Sequence, residues 1–158
     1  FTLNGAVTYL DSKVLNYTSI DSTGAVTNFA GDPIPYTPKW SGNINADYTM
    51  NLSNGGAPFI GATLAMRSSA DAVFGGSNIP RAIGPTNAGP LYPYHIDGYT
   101  TVDLRAGYKA PGDKWHVMVY GKNVLNKYYV TSVIPANDLA MKLTGAPATY
   151  GVTIGFKY

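Results

Sequence analysis

Apolar and polar residues alternate with a period of two along most of this chain. The cleanest run is PKWSGNINADYTMNL. Trp40, Gly42, Ile44, Ala46, Tyr48, Met50 and Leu52 share one parity there, and Ser41, Asn43, Asn45, Asp47, Thr49 and Asn51 the other. A helix would spread these residues around its circumference, whereas a strand gives each set its own face. YTTVDLRAGYK sets Val102, Leu104, Ala106 and Tyr108 against Asp103, Arg105, Gly107 and Lys109. WHVMVYGK sets Trp115, Val117 and Val119 against His116, Met118, Tyr120 and Lys122. Phe1, Leu3, Val7 and Tyr9 share a side of FTLNGAVTY, and Ile60, Ala62, Leu64 and Met66 form the apolar face of FIGATLAMRSS. The last run, ATYGVTIGFKY, alternates Tyr150, Val152, Ile154, Phe156 and Tyr158 with Gly151, Thr153, Gly155 and Lys157. The pattern predicts six strands, at about 1–17, 38–52, 58–74, 98–110, 115–130 and 148–158.

The connections alternate in length. SNGGA (53–57) and PGDK (111–114) are tight turns, whereas 18–37, 75–97 and 131–147 are long loops. Short turns at one end of an antiparallel meander and long loops at the other are the layout of an outer-membrane barrel. The aromatics agree with it. Tyr48, Phe59, Tyr108, Trp115, Phe156 and Tyr158 lie toward the short turns, and Tyr9, Trp40, Phe74, Tyr99, Tyr128 and Tyr150 toward the long loops. Two bands about ten residues apart match the two interfaces of a bilayer. A soluble antiparallel sandwich is the competing architecture, but its inward face should be bulkiest in the middle. Here the middles are small, as at Gly42, Ala46, Ala62 and Ala106. Six strands leave two unpaired edges, which hydrocarbon cannot satisfy, so the outer strands need partners beyond this chain.

Composition sharpens the picture. Charged residues make up 13% of the 158, about half the share in a soluble domain. All nine acidic residues are Asp; a chain of 13 Tyr and 18 Gly without Glu favours strands over helices. Net charge is +2 with Lys and Arg scattered singly, which excludes a nucleic-acid surface. The absence of Cys excludes disulfides and thiolate metal sites. No apolar run approaches a membrane-spanning helix. Phe1 already sits inside an alternating pattern, so the expectation is a fragment of a longer protein.

GYTTVDLRAGYKAPGDKWHVMVYGKNVLNKYYV, followed by GAPATYGVTIGFKY, resembles the C-terminal end of TonB-dependent outer-membrane receptors. The likeness lies in Val102-Asp103-Leu104, Trp115, Asn123-Val124-Leu125, Lys127-Tyr128, Gly145-Ala146-Pro147 and the aromatic-ended strand from Tyr150 to Tyr158. GDPIPYTPKWSGNINADY also resembles the family's passage from an outer loop into a strand. Ala148 stands where the family often carries Arg. Strict alternation would carry Asn123 outward, so either the strand leaves the bilayer there or a bulge resets its register.

The resemblance implies an all-β fold, the last six strands of a plugged antiparallel transmembrane barrel of about 22 strands. It implies short turns and C-terminus in the periplasm, long loops outside the cell, and import of a scarce nutrient such as a ferric siderophore. The partners it implies are outer-membrane lipid, the remainder of the barrel, a plug, TonB acting through an N-terminal part absent here, and the barrel-assembly machinery reading the last strand. A passive porin shares the wall but lacks the plug. The plug domain lies outside this chain.

Nothing in the sequence has the pattern of a catalytic site, and no cofactor is implied. His95 and Asp97 are close enough for a metal pair but lack a third ligand. Arg81, Tyr92, Tyr94 and His95, in the loop SNIPRAIGPTNAGPLYPYHIDGY, are the substrate-binding candidates. By parity Asp47, Arg67, Asp103, Arg105, Lys109 and His116 face the lumen. Trp40, Tyr108, Trp115, Tyr150, Phe156 and Tyr158 form the girdles, the last three within a terminal strand that resembles an assembly signal.

Overall fold

The computed structural model describes residues 1–21, 24–77, 92–136 and 139–157. In chain order the strands are β1 (Thr2–Tyr9), β2 (Thr18–Ile20), β3 (Val26–Asn28), β4 (Trp40–Thr49), β5 (Ala57–Arg67), β6 (Ala70–Asp71), β7 (His95–Ile96), β8 (Tyr99–Lys109), β9 (Trp115–Lys122), β10 (Val130–Ala136), β11 (Leu139–Thr144) and β12 (Thr149–Phe156). Six of them form one antiparallel sheet in the order β1-β4-β5-β8-β9-β12. The sheet is open, with β1 and β12 at its edges.

Register places whole rows of residues on common faces. Leu3 pairs with Ala46, Ala46 with Ala62, Ala62 with Leu104, and Leu104 with Gly121, which faces Tyr150. That row is apolar from edge to edge. One residue along, Asp47, Gly61, Arg105, Tyr120 and Gly151 make a row on the opposite face. The apolar face packs on nothing: Ile44, Ile60, Leu104, Val119, Val152 and Ile154 are all exposed. Among the described residues none of the buried apolar side chains lies in these six strands. A sandwich would have covered this face with a second layer. The sheet is instead a sector of barrel wall.

Its turns are short because glycine permits them. Gly55 (φ 81°) lets the chain return from β4 to β5, where Leu52 N–H donates to the Gly56 carbonyl at 2.9 Å. A 3-10 turn at Pro111–Asp113 joins β8 to β9.

The six strands are shorter than the alternation suggests, and the expected long loops carry hairpins of their own. β2 pairs with β3, β6 with β7, and β10 with β11. These small units pack on one another. Tyr94 (2% exposed), Ile96 and Val133 (both 0%) and Ala72 form a core, flanked by Val73, Val130 and Ala140. Beside it Tyr17, Phe29 and Phe74 place their ring centroids 5.2 to 5.9 Å apart. The Tyr36 hydroxyl donates to the Val133 carbonyl, linking the first connection to the last hairpin. The buried core therefore lies under the long connections and not behind the sheet.

Three aromatics expected in the girdles belong elsewhere. Phe59 pairs with Thr49 and Gly107, on the face of Asp47 and Arg105, and its ring occupies the space a Cβ at Gly107 would need. Tyr99 pairs with Arg67 on that same polar face. Phe74 sits in the ring cluster beyond the sheet. Distance from the strand ends suggested a girdle for all three, but a girdle requires the right face as well as the right level. On the apolar face, Trp40 and Tyr9 touch at 4.6 Å, and Tyr108 and Trp115 at 5.6 Å. Tyr150 and Phe156 lie at the two ends of β12, and Tyr158 is outside the described residues.

Candidate functional site

The polar face carries a hydrogen-bonded ladder across four strands. Asn45 Nδ2 donates to Asn4 Oδ1 at 3.1 Å, and Thr63 Oγ1 to Asn45 Oδ1 at 2.8 Å. Arg105 Nη1 donates to Thr63 Oγ1 at 3.3 Å. Its Nη2 and Nε hold both carboxylate oxygens of Asp47, at 2.6 to 3.1 Å. Asp47 lies on β4 and Arg105 on β8, with β5 between them. Gly61 occupies the intervening register position, and a Cβ there would lie 2.3 Å from Asp47 Oδ1 and 2.7 Å from Arg105 Nε. Glycine is what lets the ion pair close across a strand.

That makes Gly61 a test of the ladder. Both groups are flexible chain ends, so Gly61→Val displaces them while the backbone stays. We expect it to lower barrel stability by about 1 kcal/mol, since the pair is about one-third exposed (33% and 36%) and water screens it. The melting temperature of the heat-modifiable band checks this, and the loss should largely vanish when Asp47 is already Ala.

The other expected lumen residues divide. Lys109 sits with Nζ 5.9 Å from the centre of the Phe59 ring. His116 packs its ring over Gly155 on the neighbouring strand. Asp103 accepts the Asn123 backbone N–H at 2.8 Å, which fastens the end of β9 to β8.

At the long-connection end the polar face opens into a vestibule. Tyr99 and Tyr129 place their rings 4.3 Å apart, and the Arg67 guanidinium lies 5.8 Å from the Tyr99 centroid. A cavity of about 420 Å³ is lined by Arg67, Gly98, Tyr99, Thr100 and Lys127. A second, of about 350 Å³, shares Gly98, Tyr99 and Lys127 and adds His95, Asp97, Tyr128, Tyr129, Val130 and Lys142. Cations outnumber carboxylates around both.

The loop candidates fare differently. Tyr92 is exposed, but Tyr94 is buried in the loop core and packs rather than presents itself. Arg81 lies outside the described residues. His95 Nδ1 contacts Asp71 Oδ1 at 2.8 Å and Ser77 Oγ at 3.0 Å, with Asp97 3.7 Å from its other nitrogen. In a nucleophilic triad the serine and the aspartate would use opposite ring nitrogens. Both meet Nδ1 here, so the cluster is a staple joining β6 to β7. No grouping of three metal ligands occurs among the described residues. Sequence reasoning missed Tyr99, Lys127, Tyr129 and Lys142. Parity alone would have put Tyr99 with Asp103 and Arg105, whereas Lys127 and Tyr129 follow the turn at Asn123, where β9 has already ended, and Lys142 lies in a long connection.

The family described as TonB dependent receptor-like, beta-barrel, matches residues 1–124. The fold is similar to the siderophore receptor PiuA from Acinetobacter baumannii (TM-score 0.68, 18% identity), over 99% of this chain and 19% of that one. It is also similar to the ferric yersiniabactin uptake receptor FyuA from Yersinia pestis (TM-score 0.63, 14% identity), over 82% of this chain and 18% of that one. The chain thus spans about a fifth of the length of these solved receptors, and at such identities the likeness is one of fold. None of the curated proteins matches the chain in sequence.

Proposed function

The chain belongs to the TonB-dependent receptor β-barrel family, and from that premise we propose that it is a sector of wall and outer vestibule in a receptor importing a metal-chelate nutrient across the outer membrane. The observation that carries this reading is the division of one sheet into two surfaces. Its apolar face, exposed along its whole length and closed by aromatic pairs, meets lipid. Its polar face, with Asp47, Arg67, Asp103, Arg105, Lys109 and His116, meets the lumen and the plug. Charges on the lipid side would cost about 2–4 kcal/mol near the midplane, which supports this orientation. The short turns and the end of β12 then lie in the periplasm, and Phe156 closes the strand that the assembly machinery reads.

The vestibule lined by Tyr99, Tyr129, Lys127 and Lys142 supports binding of an anionic chelate before translocation. The test is accumulation of radiolabelled iron chelate by cells whose only iron receptor contains this chain. Uptake that stops on removal of TonB or collapse of the proton gradient is the expected result. Uptake that persists without energy means a passive pore.

A further inference from the structure

One row of the apolar face is bulky except at a single position. Tyr48 pairs with Ile60, Ile60 with Ala106, Ala106 with Val119, and Val119 with Val152. Ala106 is therefore a notch between two β-branched neighbours. In the next row toward the long connections Gly121 makes a second notch, between Leu104 and Tyr150. The two small residues are diagonal neighbours across β8 and β9, and they floor a groove of about 600 Å³. Ile60, Leu104, Val119 and Val152 stand around it. Val124 and the Tyr150 ring close its far end over Gly121, where an added Cβ would lie 2.6 Å from Val124 Cγ1 and 2.9 Å from Tyr150 Cδ1. The groove thus runs from the middle of the wall to its long-connection end.

The lining comes from β5, β8, β9 and β12 of the continuous sheet. Strands that pair with the open edges at β1 and β12 extend the wall sideways and do not cover this face. What meets the outside of an outer-membrane barrel is hydrocarbon. Between hydrocarbon and an apolar wall there is no hydrophobic driving force, so a chain settles where packing is best. On a flat stretch of wall an acyl chain is touched along one side; in the groove it is touched along three, and dispersion contacts accumulate. The surrounding Ile60, Val119, Val124 and Val152 are restricted at χ1, which leaves the groove preformed.

We propose that this groove is a lipid-binding site that holds one acyl chain of an outer-membrane lipid, with the headgroup at the level of Tyr150. The site rests on the orientation of the two faces given above and is independent of what the receptor imports. The bound chain lies across β8, β9 and β12, next to the edge where β12 meets the rest of the barrel, so occupancy stabilises that closure.

The test uses the complete receptor in detergent with dipalmitoylphosphatidylglycerol as the probe. Native mass spectrometry counts the lipids retained after unbound lipid is removed. Wild type is expected to retain one lipid more than Ala106→Leu, in which affinity falls about tenfold, the equivalent of roughly a dozen carbon–carbon contacts. The lipid should also raise the melting temperature of wild type more than that of the variant. Ala62→Leu, on the same face but outside the groove, should retain the lipid. Heat-modifiable mobility verifies folding, and Ala106→Val supplies a smaller filler if Ala106→Leu does not assemble. Retention undiminished in a folded Ala106 variant, or diminished equally in Ala62→Leu, overturns the site and leaves the import reading intact. A wild-type receptor that retains no lipid does the same. An error in the orientation of the faces is read separately, because Leu104→Arg then assembles as well as Arg105→Leu.

Discussion

Leu104→Arg is expected to prevent assembly in the outer membrane, while Arg105→Leu, one residue along, is expected to leave a folded barrel. Leu104 is the middle residue of β8 (Tyr99–Lys109) and lies 46% exposed on the apolar face. Its neighbours across the sheet are Ala62 and Gly121, so an arginine there has no polar partner in reach. A guanidinium at the bilayer midplane costs about 2–4 kcal/mol, and the flanking small residues offer it no route to a headgroup. Arg105 stands on the other, polar face. Its loss undoes the Asp47 pair and frees Thr63, at a cost of about 1 kcal/mol for a partly exposed interaction. The folded fraction in outer-membrane preparations, read from heat-modifiable mobility, distinguishes the two. Equal yields would mean that the faces are assigned the wrong way round.

Asn123→Ala is the second substitution with a large effect, although Asn123 lies in no strand. The residue is 4% exposed and adopts φ 48°, in the left-handed region where Asn is tolerated and Ala is not. Its side chain makes three hydrogen bonds: to the carbonyls of Lys127 and Ala146 through Nδ2, and from the Lys127 N–H through Oδ1. Its backbone N–H is held by Asp103. This one residue ends β9, turns the chain, and holds the segment leading into β12. Alanine removes the side-chain partners and strains the backbone, so a loss of about 3 kcal/mol is expected. Asn123→Gly separates the causes, since it keeps the conformation and loses only the hydrogen bonds. It should be milder than alanine by about 1 kcal/mol. Asn123→Asp should be no better than glycine, because an oxygen replaces the donor facing two carbonyls. Thermal unfolding of the purified barrel ranks the three, and an alanine variant as stable as wild type would refute the role of this turn.

The strict alternation in the six wall segments was legible because a strand has only two faces. Parity is a local property, and neighbouring strands in register inherit it from one another. Hence Trp40, Ile44 and Tyr48 fell with Leu104, Val119 and Tyr150, and Asp47 fell with Arg105, before any pairing was known. Phe59 and Tyr99 show what happens when a second rule overrides parity. Their level along the strand suggested a membrane interface, yet parity within their own strands already set Phe59 opposite Ile60 and Ala62, and Tyr99 with Asp103 and Arg105.

Asn123 raised a choice between a bulge and the end of a strand, and the structure selects the end: β9 stops at Lys122 and Asn123 turns with positive φ. The hairpins within the long connections escaped notice because their strands are short. They pair locally but draw their stability from packing on one another, as Tyr94, Ile96 and Val133 do.

The amino-acid sequence by itself determined the fold class, the two faces of the wall and the positions of its tight turns, because those follow from residue type and a period of two. Tertiary structure alone decided that Asp47 reaches Arg105 across Gly61, that Tyr94 is core, and that Arg67, Lys127, Tyr99 and Tyr129 share one vestibule. Each of these depends on register between strands, or on contacts between loops far apart along the chain. No local pattern of residues encodes such distances, because they are set by where separate elements come to rest against one another.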